Sequence, residues 1–422
     1  MAEIRKVPLN GLTVASTFSG CGGSCLGFRW AGFKHVYANE FTAIARASYE
    51  ANFPGYHLDG RDIRQVSADD VLEAGGLRVG ELDVFEGSPP CQAFSSAGRG
   101  AKGWGKIKDQ GKNREDLFFE YTRLLRGLKP RAFVAENVPG LVRGAAKGYF
   151  IEIMAELDAC GYAVECRILD AQWLGVPQAR KRTVFVGVRK DVGVPVFPQP
   201  LPYNYSIRDA IGAGVSRVRY HRGEVKPGSK WSPYNKEFDV RNEPVGAITK
   251  TPETEKWQVF GPPIEKMRIG PTAGFGAGDV YSVDDPAPTL MKGGIAGVSV
   301  DQFEVHRQAA LPPAYREMWK KLRPGEADEK RFNLVRSDHE QPAQTIVKQG
   351  GGGAGITHGH EPRRFTIPEL RRLGGFPDDF ALVGSFAQQW ERVGNSVPPP
   401  MMFHVAAALA SVILSKKKGK KR

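Results

Sequence analysis

Cysteine is scarce in this sequence, with five in 422 residues: Cys21, Cys25, Cys91, Cys160 and Cys166. An odd number, thinly spread and without a secretory signal at Met1 to Asn10, does not make a disulfide framework and fits a reducing cytoplasm. No C-x2-C pair occurs, and the close pairs Cys21/Cys25 and Cys160/Cys166 lack partners at zinc-site spacing, so no metal centre is expected. Long apolar runs are missing too. The longest near the end, "VAAALASVIL" at Val405 to Leu414, is about half of the ~20 residues a membrane span needs and reads as a buried helix. The pattern G-x-x-x-x-G-K-[ST] is absent, which argues against ATP hydrolysis at a P-loop. Acidic residues fall short of basic ones, 46 against 59, leaving a formal charge of +13. That excess suggests an anionic partner without choosing between DNA, RNA and a membrane surface. Part of it lies in the tail "SKKKGKKR" from Ser415, which reads equally as a solvated end or as a phosphate-binding arm.

What the chain does have is length enough for two domains, since single cores seldom grow past roughly 250–300 residues. From Gly11 to about Pro200, short apolar or β-branched runs alternate with helical patterns. "LTVASTF", "HVYANE", "LDVFEGS", "AFVAEN" and "RTVFVGV" are the strands, and "DLFFEYTRLLRGL" is a typical intervening helix. This alternation predicts an α/β fold, a parallel sheet with crossover helices, whose ligands sit at the carboxyl ends of the strands. Residues 201–362 are richer in Gly and Pro and predict a smaller, irregular β-rich domain. It contains a weak repeat, "PVGAITK", "PAPTLMK" and "PAQTIVK". Each copy ends on a lysine (Lys250, Lys292, Lys348), and the copies read either as similar strands of one domain or as phosphate contacts. From residue 363 the pattern turns helical and is expected to return to the first domain, with the last helix covering the sheet.

The unusual residues cluster at the predicted strand ends. "FSGCGGSCLGF", Phe18 to Phe28, joins a strand to a helix, and its glycines either let a ligand approach the backbone or serve packing alone. Glu40 ends the next strand, where an acidic side chain commonly accepts hydrogen bonds from ribose hydroxyls. Asp62 and Ile63 in "GRDI" suit a polar contact and an apolar face for a purine. Together these residues describe a nucleoside-containing cofactor. "GSPPCQAFSS" places Cys91 behind two prolines that stiffen the backbone and withdraw its N–H groups. A structural cysteine would more naturally fall inside an apolar run, as Cys160 and Cys166 nearly do. Glu136 in "ENV" offers a carboxyl at a neighbouring strand end, either for chemistry or as a cap or ion pair. "QARKR" offers Arg180 and Arg182, suited to a phosphate or carbonyl oxygen, or else part of a basic edge strand.

Set in this order, the pieces resemble the cytosine-C5 DNA methyltransferase family, which uses S-adenosyl-L-methionine. The resemblance covers Thr13 to about Val188 and Arg364 to Pro400, where "RFTIPELRRLGGFP" and "GNSVPPP" are similar to the closing motifs. It implies a Rossmann-like methyltransferase sheet with the middle domain for target recognition. It also implies that Phe18, Gly20, Cys21 and Gly23 contact the cofactor, Glu40 its ribose, and Asp62 with Ile63 its adenine. Pro90 and Leu117 would line the same pocket, and Asn395, Ser396 and Val397 would close it. Cys91 would be the nucleophile at cytosine C6, Glu136 would bind the base edge, and Arg182 would meet O2 with Arg180 and Gln178 in support.

The segment after Cys91, glycine-rich and basic, would be a lid over the DNA, and the target base would be flipped out of the duplex. The transfer-RNA branch of the family carries a Cys-Phe-Thr triplet in its middle domain. No cysteine follows Cys166 here, so double-stranded DNA is the expected partner. An inactive DNA-binding regulator is the reading from another class, and the intact catalytic positions speak against it. Further expectations are a monomeric prokaryotic or phage enzyme, cytoplasmic and nucleoid-associated, with no membrane contact, acting alone or beside a restriction endonuclease for the same site.

Overall fold

A computed structural model describes residues 1–90, 116–142, 147–211, 309–328, 334–348 and 355–419, with four two-residue strands between them. After a short helix α1 (Ala2–Lys6), the chain alternates β1 (Thr13–Thr17), α2 (Gly23–Trp30), β2 (Lys34–Asn39), α3 (Ala43–Asn52) and β3 (Leu58–Asp59). It continues with α4 (Ala68–Gly75), β4 (Val84–Gly87), α5 (Asp116–Leu128), β5 (Ala132–Asn137), α6 (Lys147–Ala159) and β6 (Tyr162–Asp170). A two-residue β7 (Gln178–Ala179) and the long β8 (Lys181–Arg189) follow.

The seven-stranded sheet has the order β3-β2-β1-β4-β5-β8-β6. β1 to β5 are parallel, as the alternating pattern predicts. β8 instead enters antiparallel between β5 and β6, so the sheet is mixed at one edge. The strand order reverses between β1 and β4, and open α/β sheets bind their ligands at such a switch point.

Side-chain alternation sorts the sheet's two faces. Val14, Val84, Val134 and Val186 point into the core shared with Phe28 and the C-terminal helix residues Met401, Met402, Val405 and Leu409. Ala15, Phe85, Phe133 and Phe185 point into the opposite core, filled by Tyr121, Leu124 and Leu125 of α5. The predicted last helix spans Pro399–Gly419 and covers the first face. It approaches α2 closely because Gly27 has no side chain: a Cβ there would lie 2.6 Å from Pro399 O and 2.7 Å from Met402 Cβ. The stretch Phe386–Lys416 is long and apolar enough, by length and composition alone, to cross a membrane. Within its most apolar window, however, 67% is buried inside the fold.

A third core joins Cys21, Cys25, Leu26 and Trp390 to Ile207 and Ala210 of α7 (Ile207–Ile211) and to Ala343, Ile346 and Ile356. Both ends of the stretch expected to form the middle domain therefore pack with residues of the first domain. The third copy of the repeat is one of these: Ala343 pairs in parallel with Gln178 of β7, and Lys348 Nζ sits 3.3 Å from Glu391. Lys250 and Lys292 lie outside the described residues. Between 212 and 308 the described backbone consists of two antiparallel pairs, Trp257 opposite Val218 and Met267 opposite Tyr281.

Candidate active site

At the switch point the loop after β1 turns through Phe18 and Gly20, both at positive φ, 54° and 57°. Among the described residues no atom lies within 4 Å of the point where a Gly20 side chain would begin, so the backbone faces open space there. Glu40 reaches this loop from the end of β2. One carboxylate oxygen accepts from Gly20 N–H at 2.8 Å and the other from Thr42 N–H at 2.7 Å. Asp62 caps a short 3-10 turn through Arg64 N–H and pairs with the Arg64 side chain at 3.0 Å, while Ile63 beside it is buried. Phe18, Ile63 and Leu117 border the same apolar core.

The far end of the chain meets this loop. A Cβ on Gly23 would fall 2.0 Å from Ser396 Oγ and 2.4 Å from Val397 O, so only glycine allows the contact. Cys21 Sγ lies 3.9 Å from Arg392 O, and burial pushes its thiol up to about 11. Asn395 lies exposed on the same turn, with its amide 3.4 Å from Glu391. Phe18, Gly20, Cys21, Gly23, Glu40, Ser396 and Val397 are thus brought together from three distant stretches.

The second half of the site lies one strand further on. Glu136 near the end of β5 and Arg182 near the start of β8 form an ion pair, Nε to Oε1 at 2.7 Å, with side chains only 10% and 12% exposed. Burial pulls the Arg182 guanidinium below its ordinary value, and Glu136 draws it back up. Asn137 donates to Pro89 O at 3.1 Å, which ties the Glu-Asn-Val turn to the strand end that leads into Pro90 and Cys91. Pro90 is exposed at that strand end. Cys91 and the expected lid lie outside the described residues.

Arg180, expected to support Arg182, sits deeper in the fold than its neighbour. It is 1% exposed and donates to Ile346 O at 2.9 Å, Gly394 O at 2.7 Å and Ser396 O at 2.9 Å. Gln178 does similar work, donating to Leu373 O at 3.2 Å and accepting from Ile346 N–H at 3.1 Å. Because a charged donor to a buried acceptor contributes about 1.5–3 kcal/mol, Arg180→Met should lower stability by at least about 3 kcal/mol. Urea unfolding followed by circular dichroism checks this. Normal stability with a lost rate would instead put Arg180 in the chemistry.

Two residues were not picked out from the sequence. Phe41 follows Glu40 and is 66% exposed among the described residues, an apolar ring left at the crevice edge. An aromatic residue directly after a strand-end acid was the available signal. Glu86 is 2% exposed on β4 and accepts from Ser24 Oγ at 2.8 Å. A glutamate inside "LDVFEGS", where both faces of the strand are covered, was the signal there.

The sheet has the Rossmann-like α/β architecture of solved methyltransferases. A prophage-encoded E. coli protein described as a DNA modification methyltransferase aligns with TM-score 0.60 at 21% identity, covering 96% of this chain and 100% of that one. The Entamoeba histolytica methyltransferase EhMeth aligns with TM-score 0.56 at 14% identity, over 94% and 97% of the two chains.

The chain belongs to the C-5 cytosine-specific DNA methylase family, whose model matches residues 12–411. Its curated relatives include the Type II methyltransferase M.NgoFVII of Neisseria gonorrhoeae, 29% identical over 399 residues, covering 94% of this chain and 86% of the relative. M.NgoPII from the same organism is 27% identical over 417 residues, covering 98% and 99%. The protein is therefore a DNA cytosine-C5 methyltransferase of the restriction-modification type, and its family and fold imply use of S-adenosylmethionine.

Proposed function

We propose that this enzyme methylates one specific cytosine in double-stranded DNA through a covalent bond between Cys91 and carbon 6 of an extruded base. The observation that carries the reading is the buried Glu136–Arg182 pair at 2.7 Å, tied through Asn137 to the strand end that leads into Cys91. The crevice fits the cofactor: Gly20 opens it, Glu40 offers an acceptor for ribose, and the exposed ring of Phe41 offers a stacking face. Phe18, Cys21, Gly23, Asp62, Ile63, Pro90, Leu117, Asn395, Ser396 and Val397 would complete its binding site. S-adenosylmethionine supplies an electrophilic methyl group on a sulfonium.

The chain's own residues do the rest. Carbon 5 of cytosine is too electron-poor to attack a methyl group unaided. Addition of the Cys91 thiolate at C6 pushes the C5–C6 π electrons onto C5 and the N3/O2 edge. Glu136 would bind N3 and the exocyclic amine, and Arg182 would stabilise the charge on O2. Once C5 carries the methyl group, loss of its proton to a base and departure of the Cys91 thiolate restore the aromatic ring. The reacting atoms are hidden inside a duplex, so the base must leave the stack, at a cost of a few kcal/mol that basic contacts offset.

In cells the enzyme would act as a cytoplasmic, nucleoid-associated monomer. The Type II names of its relatives support an endonuclease reading the same site as its counterpart. A duplex with 5-fluorocytosine at the target should be trapped as a denaturation-resistant complex, because fluorine at C5 cannot be removed as a proton. Bisulfite sequencing of DNA from expressing cells identifies that target. Full methylation with no trapped complex would overturn the covalent route.

A further inference from the structure

Glu86 occupies a place the reaction above does not use. It is the penultimate residue of β4, beside Ser16 of β1, and its carboxyl is sealed beneath the first turn of α2. Ser24 Oγ donates to one oxygen at 2.8 Å, and Cys25 Sγ approaches the other at 3.8 Å. Both residues follow directly on the Phe18–Gly23 loop, so this acid supports the floor of the cofactor crevice.

The groups around it are hydroxyls, a thiol and another acid. Ser16 and Ser19 from the β1 side share a hydrogen bond at 2.7 Å, and Ser16 bonds to the carboxyl. Tyr49 from α3 and Tyr121 from α5 lie close enough for its charge to raise their hydroxyls. Glu136 on β5 lies near enough for its charge to be felt. A carboxylate in such surroundings has lost water and gained no cation among the described residues, which favours the protonated form. Burial pushes Glu86 up to about 7, against the pull of the Ser16, Ser24 and Cys25 hydrogen bonds, and the charge of Glu136 adds to the rise.

A cation in the crevice would reverse that preference. The methyl donor carries a sulfonium charge, whereas the demethylated product, S-adenosylhomocysteine, is a thioether without it and otherwise the same molecule. We infer that Glu86 distinguishes the two, supporting the loop through Ser24 whichever is bound and giving up its proton to attract the sulfonium alone. The inference rests on the cofactor reading of the Phe18–Gly23 loop. It gives the enzyme a way to favour donor over product, which differ by one methyl group and one charge.

The sign follows from linkage. A bound cation lowers the carboxyl's pKa, so donor binding releases a proton, and its affinity rises with pH through the window around 7. Titration calorimetry on the full-length protein, in buffers of different ionisation enthalpy, reads proton release and affinity for both ligands. S-adenosylmethionine should release a fraction of a proton near pH 7 and gain about fivefold in affinity from pH 6 to 8, the part of a one-unit pKa shift that falls in that window. S-adenosylhomocysteine should show neither beyond what the ligand's own groups give.

Glu86→Gln keeps an acceptor for Ser24 and removes the charge, so it should abolish the donor's extra proton release and pH gain while leaving product affinity unchanged within about twofold. Equal proton release by both ligands in the unaltered protein would overturn the inference, as would a Glu86→Gln protein that retains the difference. The unaltered protein answers the question even where the variant does not fold. Failure of both ligands to bind would remove the cofactor reading and this inference with it.

Discussion

Cys91→Ala should lower methyl transfer by on the order of 10⁴-fold or more, the scale seen when a covalent nucleophile is removed, and leave cofactor binding intact. Without a thiolate at C6 the ring never becomes nucleophilic at C5, so the donor sits beside an unreactive carbon. None of the four described cysteines can stand in. Cys21 in the Phe18–Gly23 loop and Cys25 just after it are buried, the first with its thiol pushed up to about 11 by burial and the second driven higher still by burial and the nearby charge of Glu86. Burial pushes Cys166 on β6 up to about 12 and raises Cys160 as well, so both persist as poor nucleophiles. Transfer of labelled methyl groups to DNA, together with S-adenosylmethionine titration of the same protein, checks both halves. Near-normal turnover in the variant would sink the covalent mechanism.

The parallel half of the sheet was legible because strands covered on both faces read as continuous apolar runs. All four residues of β4 and all six of β5 are buried, and "LDVFEGS" and "AFVAEN" announce them. The antiparallel edge was less so. β6 is mostly half-exposed, and "YAVECRILD" alternates with charges, so it carries no comparable signal. Direction is a further matter: nothing in "RTVFVGV" says that β8 runs opposite to its neighbour β5, a fact set by pairing between distant segments.

The same distinction separates the site residues. Glu40, Glu136 and Arg182 stand out in the sequence because strand ends and residue chemistry are local properties. The role of Arg180 does not, since its three acceptors lie at Ile346, Gly394 and Ser396, far along the chain. Glu86 escaped for a related reason. Its environment is assembled from β1, α2, α3, α5 and β5, and only that assembly turns an ordinary strand residue into a carboxyl that titrates near neutrality.

Glu136→Gln should slow methyl transfer by about 10²–10³-fold, the usual cost of removing one group that meets developing charge, with a modest change in DNA affinity. In the structure the carboxylate is held by Arg182 at 2.7 Å in a setting almost closed to water. The pair fixes two unlike groups side by side, an acid that on the proposed mechanism would meet the N3 edge and a guanidinium that would meet O2. Glutamine retains the size and one acceptor but cannot carry the charge that orients Arg182, so each partner loses part of its function when the other is changed. Rate losses should therefore fail to add: the double variant Glu136→Gln with Arg182→Ala should be markedly less impaired than the product of the single losses. Single-turnover rates and DNA titrations on all three proteins, with thermal melting to exclude unfolding, measure this coupling. Independent losses would mean that the pair is not a catalytic unit, and a large loss of affinity with an intact rate would make Glu136 structural.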